Sequence, residues 1–319
     1  MNLATITIRL TLLVTAPIAL VACGTDIVPP RDVLPNMEIP PAPSAGEGWQ
    51  IITPIYKDLA PGKDIEMCTW TDVTTDDLTD VVSTLGFQTE PPGHHVIVFY
   101  TLTPQPPQTR ECTDSDMATF RFLTGGAPNG TLNQVPDGLV YRIPKGAQII
   151  LQHHYLNSTT STISGQSVVN VNFAPHDASL VQTSGVAFLD SSINVPVGDT
   201  AKDIHCVIDR TLKVWSLLPH MHQWGKHINV DVTQAGVKSR KFDEDWDPSY
   251  AFHPPVIRLD PSEPMTLNAG DAVDVHCEWF NDQTHSLPFG LEMCVSFGQF
   301  VDDQTFGSIA CDGGSWVPF

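Results

Sequence analysis

The sequence has few basic residues and no extended helical periodicity. Its 16 Lys and Arg residues stand against 36 Asp and Glu residues, which gives a net charge of −20 at pH 7. Nucleic acids and anionic membrane surfaces are polyanions that a protein neutralises with basic residues, so this charge argues against both as partners. Long helices are also disfavoured, because the chain contains 27 prolines. These absences exclude a nucleic-acid-binding protein and a helical fold.

Short runs rich in β-branched and aromatic residues recur between clusters of Pro, Gly, Asn and Asp. The runs are 95–101, 148–155, 167–173, 212–218, 227–232, 272–280 and 291–300. This spacing of strands and turns is typical of an all-β sandwich. Since 319 residues are enough for two cores, we expect two consecutive antiparallel β-sandwich, jelly-roll-like domains. Their predicted bounds are 48–178 and 179–319, on either side of a turn-rich stretch.

The N-terminus has the pattern of an export signal. Arg9 precedes a largely apolar run, 10–21, which is too short to span a membrane as a helix. The run ends in Leu-Val-Ala-Cys23, which resembles the lipobox of bacterial lipoproteins, in which the cysteine carries the lipid. We expect a lipoprotein signal peptide over 1–23, and an ordinary signal peptide with a chance cysteine is the alternative. The Pro-rich segment 24–47 is then a spacer. We expect the protein to contact a bacterial membrane only through the lipid on Cys23, at the periplasmic or cell-surface face of that membrane.

The remaining cysteines form an even set. Export places thiols in an oxidising compartment, where an even number is expected to pair. Six of the 7 cysteines remain when Cys23 is set aside, which predicts three disulfides and argues against a thiolate zinc site. Counting alone leaves the pairing open.

Two pairs of adjacent histidines occur in predicted strands. Neighbouring side chains of a strand point to opposite faces, so His94 and His95 can share a metal only where the backbone bends. The preceding Pro-Pro-Gly sequence, 91–93, supplies such a bend. In the second pair, alternation puts only one of His153 and His154 on a given face, and spacing does not say which. Taken alone, each pair is also compatible with core or surface histidines.

A third grouping combines imidazoles with a thioether. His220 and His222 are two residues apart on a predicted strand, so they share one face, as a bidentate metal site requires. Met293 by itself would be a core residue. A thioether added to two imidazoles selects copper over zinc, because soft sulfur suits Cu(I). Carboxylates are scarce near these motifs, which argues against calcium.

The order of the motifs along the chain resembles a known enzyme family. His-His, His-Tyr, His-X-His and Glu-Met-Cys follow one another as in the copper type II, ascorbate-dependent monooxygenases, the family of peptidylglycine α-hydroxylating monooxygenase and dopamine β-monooxygenase. The resemblance extends from about Met67 to Cys311 and includes Gly225-Lys226 and the Gly270-Asp271 turn.

The resemblance implies two coppers per chain and a disulfide pattern. The electron-transfer copper of the first domain would be held by His94, His95 and His154, the last chosen because the family has a His-Tyr pair there. The oxygen-binding copper of the second domain would be held by the catalytic ligands His220, His222 and Met293. The implied disulfides are Cys68 with Cys112, Cys206 with Cys311, and Cys277 with Cys294.

The implied activity is hydroxylation of a C–H bond, with O2 as oxidant and ascorbate as reductant. Peptide-acting members hold a substrate carboxylate with an Arg before His-X-His and with polar and Tyr side chains after the Met. Leu218, Val295 and Phe297 stand at those places here, which favours an apolar or neutral small-molecule substrate. The alternatives are a non-catalytic copper-binding or copper-delivery surface lipoprotein, and a structural β-sandwich lipoprotein with incidental histidines.

Overall fold

The computed structural model describes residues 32–117, 119–126, 129–251, 254–304 and 307–318, which belong to one compact unit. Of these described residues, 58% are in strands and 3% in helices, which confirms the all-β expectation. The predicted signal peptide with Cys23, and the predicted spacer up to residue 31, lie outside the described residues. Within the described part of the chain, no helix has the length and apolar character needed to cross a membrane.

Most strands in the first half belong to two sheets. The elements of this half are β1 (Gly48–Ile52), β2 (Tyr56–Leu59), β3 (Asp64–Thr74), β4 (Thr79–Gln88), β5 (Gly93–Thr101), β6 (Gln108–Glu111), α1 (Asp114–Met117), β7 (Phe120–Gly126), β8 (Asn129–Gln134), β9 (Leu139–Ile143), β10 (Gln148–Leu156), β11 (Ile163–Gly165) and β12 (Ser167–Ala174). One sheet has the order β1-β12-β4, with β8 and β9 also beside β4, and the other has the order β6-β3-β10-β5-β7.

These two sheets form the first β-sandwich. Val169 and Val171 of β12 and Ile149 and Leu151 of β10 belong to one buried cluster between them. Each pair is spaced by two residues, as strand alternation requires for side chains that point to the same face. Full burial of such an aliphatic side chain contributes about 1.5–3 kcal/mol.

The second half has the same architecture. Its elements are β13 (Val181–Leu189), β14 (Asn194–Val195), β15 (Gly198–Val207), β16 (Leu212–His220), β17 (Gly225–Gln234), β18 (Val237–Asp245), the 3-10 helix η1 (Pro248–Ala251), β19 (Ile257–Arg258), β20 (Met265–Leu267), β21 (Ala272–Asn281), β22 (Leu287–Pro288), β23 (Val295–Val301), β24 (Ile309–Asp312) and β25 (Ser315–Pro318). The strands β13-β23-β16 continue the sheet of β1, β12, β4 and β9 into one 12-stranded sheet, and the facing sheet has the order β15-β21-β17-β18. Phe188, Phe300, Val230 and Val275 are among the residues of the core between them.

The two halves are joined by hydrogen bonds and by a shared core residue. β13 pairs in parallel with β9 of the first half, at Val181 opposite Leu139. Trp215 of β16 is 2% exposed and belongs to the buried cluster of the first sandwich. Its indole Nε1 donates to Thr183 Oγ1 of β13 at 2.9 Å. The turn-rich stretch predicted as the domain boundary lies between β12 and β13.

The described part of the predicted spacer, 32–47, lies against the first sandwich. Gln166 Nε2 donates to the carbonyl of Asp32 at 2.9 Å, and Asn170 Nδ2 donates to the carbonyl of Pro41 at 2.8 Å. A Pro-rich backbone cannot form a regular ladder, so these two carbonyls are satisfied by side-chain amides instead. Over these residues the segment is hydrogen-bonded to the first sandwich.

Three disulfides are present, and they are the pairs that the resemblance implied. They join Cys68 to Cys112, Cys206 to Cys311, and Cys277 to Cys294. Each such bridge stabilises a fold by about 2–4 kcal/mol. The last bridge also fixes the segment that directly follows Met293, and all three are typical of an oxidising compartment.

Candidate metal centres

The first candidate centre is assembled by two neighbouring antiparallel strands. On β5 and β10, His95 lies opposite His154, and Gly93 lies opposite Tyr155. His94 is therefore an extra residue on β5, a β-bulge. The bulge allows His94 and His95 to point to the same side, which a regular strand forbids. It lies directly after the bend that the Pro-Pro-Gly sequence predicts.

The three imidazoles of this centre lie within metal-binding distance. His94 Nδ1 and His95 Nδ1 are 2.9 Å apart. The ring centroids of His94 and His154 are 4.3 Å apart, and one ligand atom from each of the three residues lies within 4.8 Å of the other two. We refer to His94, His95 and His154 as the histidine triad. Three imidazoles at this spacing suit zinc, copper, iron or nickel.

The protonation of His94 and His95 also suits a metal. Burial and the neighbouring histidines lower the pKa of His94 to about 2. The pKa of His95 is likewise held well below its ordinary value, by burial first and then by the charges of His154, His220 and His222. Neutral imidazoles are the form that ligates metal ions.

One ring nitrogen of the triad is left without a hydrogen-bond partner within the described part of the chain. His154 Nδ1 is buried and has no hydrogen-bond partner among the residues that the structure describes. An unsatisfied buried polar atom costs about 1–3 kcal/mol. A metal ion bound to the triad would satisfy this nitrogen, so the residues present fit a resident metal.

The structure places His153 away from the triad. His153 is completely buried, with Nε2 at 2.8 Å from Thr69 Oγ1 and Nδ1 at 2.9 Å from the hydroxyl of Tyr155. Burial lowers its pKa to about 3. Both ring nitrogens are engaged inside the sandwich, so His154 is the residue of this pair that faces His94 and His95.

The second candidate centre begins at the last residue of β16. The ring centroids of His220 and His222 are 5.0 Å apart. His222 Nδ1 lies 3.1 Å from the carbonyl of Leu291, to which it can donate, and this leaves Nε2 as the free ligand atom. Burial first, and then the charges of His222 and His94, lower the pKa of His220 to about 3. The two candidate centres are thus close enough for their charges to interact.

A buried carboxylate organises the second centre. Glu292 is 0% exposed, and its Oε1 accepts from the backbone N–H groups of His222 at 2.6 Å and Met293 at 2.8 Å. Its Oε2 accepts from the N–H of Trp224 at 3.1 Å. One side chain therefore holds the backbones of two predicted ligands side by side. Sequence reasoning noted Glu292 only as the first residue of the Glu-Met-Cys motif and assigned it no role.

Met293 lies in the segment that directly precedes β23. It lies two residues before Val295, which is opposite His220 on the adjacent strand. Its side chain is partly buried and packs against the cluster that contains Leu189 and Val295. The backbone of Met293 therefore lies close to that of His220, and the shared ligand set of His220, His222 and Met293 stays a prediction.

The surface beside His220 is apolar. Leu218 and Phe297 are opposite each other on β16 and β23, and the Phe297 ring centroid lies 5.8 Å from that of His220. Val295 is fully buried next to them.

Comparison with known proteins identifies no family. No protein family matches the chain, and no curated protein is similar to it in sequence. Among solved structures, the STIV MCP is 8% identical with a TM-score of 0.29, over 80% of this chain and 96% of that one. The infectious bursal disease virus Gx strain structure is also 8% identical, with a TM-score of 0.22, over 87% of this chain and 76% of that one. Similarity at this level carries no information about function.

Proposed function

We propose that the chain is a copper-dependent monooxygenase that hydroxylates a C–H bond of a small apolar or neutral substrate, with ascorbate as reductant and O2 as oxidant. The observation that carries the proposal is the histidine triad with its unsatisfied His154 Nδ1. The type of reaction is inferred from the order of the four ligand motifs along the chain, which resembles that of the copper type II monooxygenases.

Six side chains would hold two coppers. The triad would hold one, and His220, His222 and Met293 would hold the other. When bound, copper supplies one-electron chemistry and activation of O2, which no protein side chain offers. The mixed nitrogen and sulfur set at the second site favours copper over the harder divalent metals.

The protein's own residues would hold the copper ligands in place and would form a surface that selects the substrate. Glu292 fixes the backbones of His222 and Met293 before any metal binds, so little ordering remains to be done on binding. Leu218 and Phe297 border the second centre with apolar surface. A substrate carboxylate placed there would lose its hydration without gaining a partner, which costs several kcal/mol, so we infer a neutral or apolar substrate.

The proposed location is outside the cytoplasm. The disulfides support an oxidising compartment. The N-terminal signal pattern and the lipobox-like sequence at Cys23 support export and attachment to a bacterial membrane through a lipid.

Metal analysis followed by an oxygen assay tests the function. We expect two coppers per chain in the full-length protein, and ascorbate-dependent O2 consumption that a panel of small neutral aromatic and aliphatic compounds stimulates. The His154→Ala variant is expected to hold one copper. Copper binding without substrate-coupled O2 consumption would instead identify a copper-binding or copper-delivery lipoprotein, and absence of stoichiometric copper would refute both.

A further inference from the structure

The two ring nitrogens of His154 are in opposite situations. Nε2 contacts the carboxylate of Asp64, the first residue of β3. Nδ1 is buried and has no hydrogen-bond partner among the described residues. His154 is also the only triad member on β10, so the ladder between β5 and β10 positions its backbone but not its ring.

The contact with Asp64 defines the tautomer of His154. An ionised carboxylate only accepts hydrogen bonds, so the imidazole must carry its proton on Nε2. In the neutral ring, the lone pair is then on Nδ1. His94 and His95 also present their Nδ1 atoms to each other, at 2.9 Å. The three residues can therefore offer the same type of nitrogen to one ion.

We propose that Asp64 is a positioning residue of the first metal centre, which holds the His154 ring and its tautomer so that Nδ1 is directed towards His94 and His95. The inference rests on the proposed function, because it assumes that the triad binds copper. A histidine that ligates a metal commonly donates its second ring N–H to a carboxylate, and loss of that partner lowers metal affinity by about 10–100-fold.

The surroundings of Asp64 argue against a packing role. Its side chain is 59% exposed, whereas that of His154 is 15% exposed. Leu156, which is opposite Asp64 on β10, is apolar and offers the carboxylate no side-chain partner. An Asp64→Asn variant keeps the shape of the side chain, so we expect it to fold normally.

Glu66 provides a matched control. It is directly opposite His154 in the ladder between β3 and β10, yet its carboxylate contacts Gln152 Nε2 at 3.3 Å. The Glu66→Gln variant removes one negative charge from the same strand without removing a contact of His154. A general effect of surface charge would therefore appear in both variants, and loss of ring positioning only in Asp64→Asn.

The test measures copper affinity at each site of the full-length chain by competition with a Cu(I) chelator. We expect Asp64→Asn to weaken one of the two coppers by about 10–100-fold and to leave the other unchanged, with Glu66→Gln equal to the wild type. Nitrogen-15 NMR of the metal-free protein is expected to show His154 protonated at Nε2, and a mixture of tautomers in Asp64→Asn.

The outcomes separate the two proposals. If wild-type protein binds two coppers and Asp64→Asn binds both within twofold of the wild-type affinity, the role of Asp64 is refuted and the proposed function stands. The same holds if Glu66→Gln weakens copper as much as Asp64→Asn does. If the wild type binds no copper, both proposals fail.

Discussion

Replacement of Glu292 by glutamine tests whether one buried carboxylate organises the second centre. Glutamine has nearly the same shape, but it has one acceptor oxygen where glutamate has two. In its best orientation it keeps the two bonds that meet at Oε1, from His222 and Met293. Its amide N–H group then faces the backbone N–H of Trp224. Two donors cannot bond to each other, so the hydrogen bond from Trp224 is lost.

The size of the effect follows from the lost bond. A hydrogen bond to a charged acceptor contributes about 1.5–3 kcal/mol. Burial raises the pKa of Glu292, which means that removal of the buried charge offsets part of the loss. We therefore expect the free energy of unfolding to fall by an amount near the lower end, about 1.5 kcal/mol. If the loop at 222–224 must be ordered before copper binds, the same free energy lowers the affinity of the second site for copper about tenfold.

Chemical denaturation and copper competition measure the two effects. The exposed Glu263 lies in the same half of the chain, and Glu263→Gln is expected to change the free energy of unfolding by less than about 0.5 kcal/mol. The reasoning is refuted if Glu292→Gln unfolds like the wild type and holds its second copper with equal affinity. It is also refuted if the copper of the triad is the one that weakens.

Three further predictions concern the same region and the first core. Met293→Ala is expected to abolish ascorbate-dependent O2 consumption while the triad keeps its copper, because only the second site loses its sulfur. An oxygen electrode and copper analysis measure the two effects. Full O2 consumption in this variant would contradict the assignment of Met293 as a ligand. The pKa of buried His153 is about 3, against an ordinary value of 6.5, so the unfolded chain binds its proton at a higher pH than the folded one. The contribution of this residue to the free energy of unfolding is therefore fully present above about pH 6.5. It is lost as pH falls towards 3, by an amount on the order of 4 kcal/mol. Denaturation curves at several pH values measure this loss, and a His153→Asn variant with an unaltered pH profile would count against it. A Cβ at Gly225 would lie 2.6 Å from Trp246 Cδ1, and Trp246 Nε1 donates to the carbonyl of His222 at 2.8 Å. Gly225→Ala is thus expected to cost about 1–3 kcal/mol of stability in a denaturation experiment and to weaken the second copper, whereas an unchanged midpoint would show that the indole can move freely.

The strands could be predicted because they depend on local patterns. Period-two alternation predicts His220 and His222 on one face of a strand; their ring centroids are 5.0 Å apart, but β16 ends at His220 and His222 lies in the loop after it. The same rule could not combine His94 with His95, because it describes regular strands and this pair contains a bulge. Only the Pro-Pro-Gly sequence before the pair indicated an irregular backbone.

Contacts between distant parts of the chain could not be predicted in this way. Asp64 precedes His154 by 90 positions, and their contact depends on the pairing of β3 with β10. The three bonds of Glu292 depend on the loop that follows β16. Composition also did not predict the contacts of residues 32–47, because a Pro-rich segment that cannot form its own core can still accept hydrogen bonds from the side-chain amides of Gln166 and Asn170.

The indole of Trp215 has a consequence for how the two sandwiches could evolve or be engineered. This side chain comes from the second half but fills part of the core of the first. The two halves are therefore not independently exchangeable domains. A first half produced alone would contain a void of indole size, which costs about 3–5 kcal/mol, and it would expose the edge of β9 that β13 covers. Exchange of one sandwich between related chains would succeed only if the tryptophan and the cavity that receives it were transferred together.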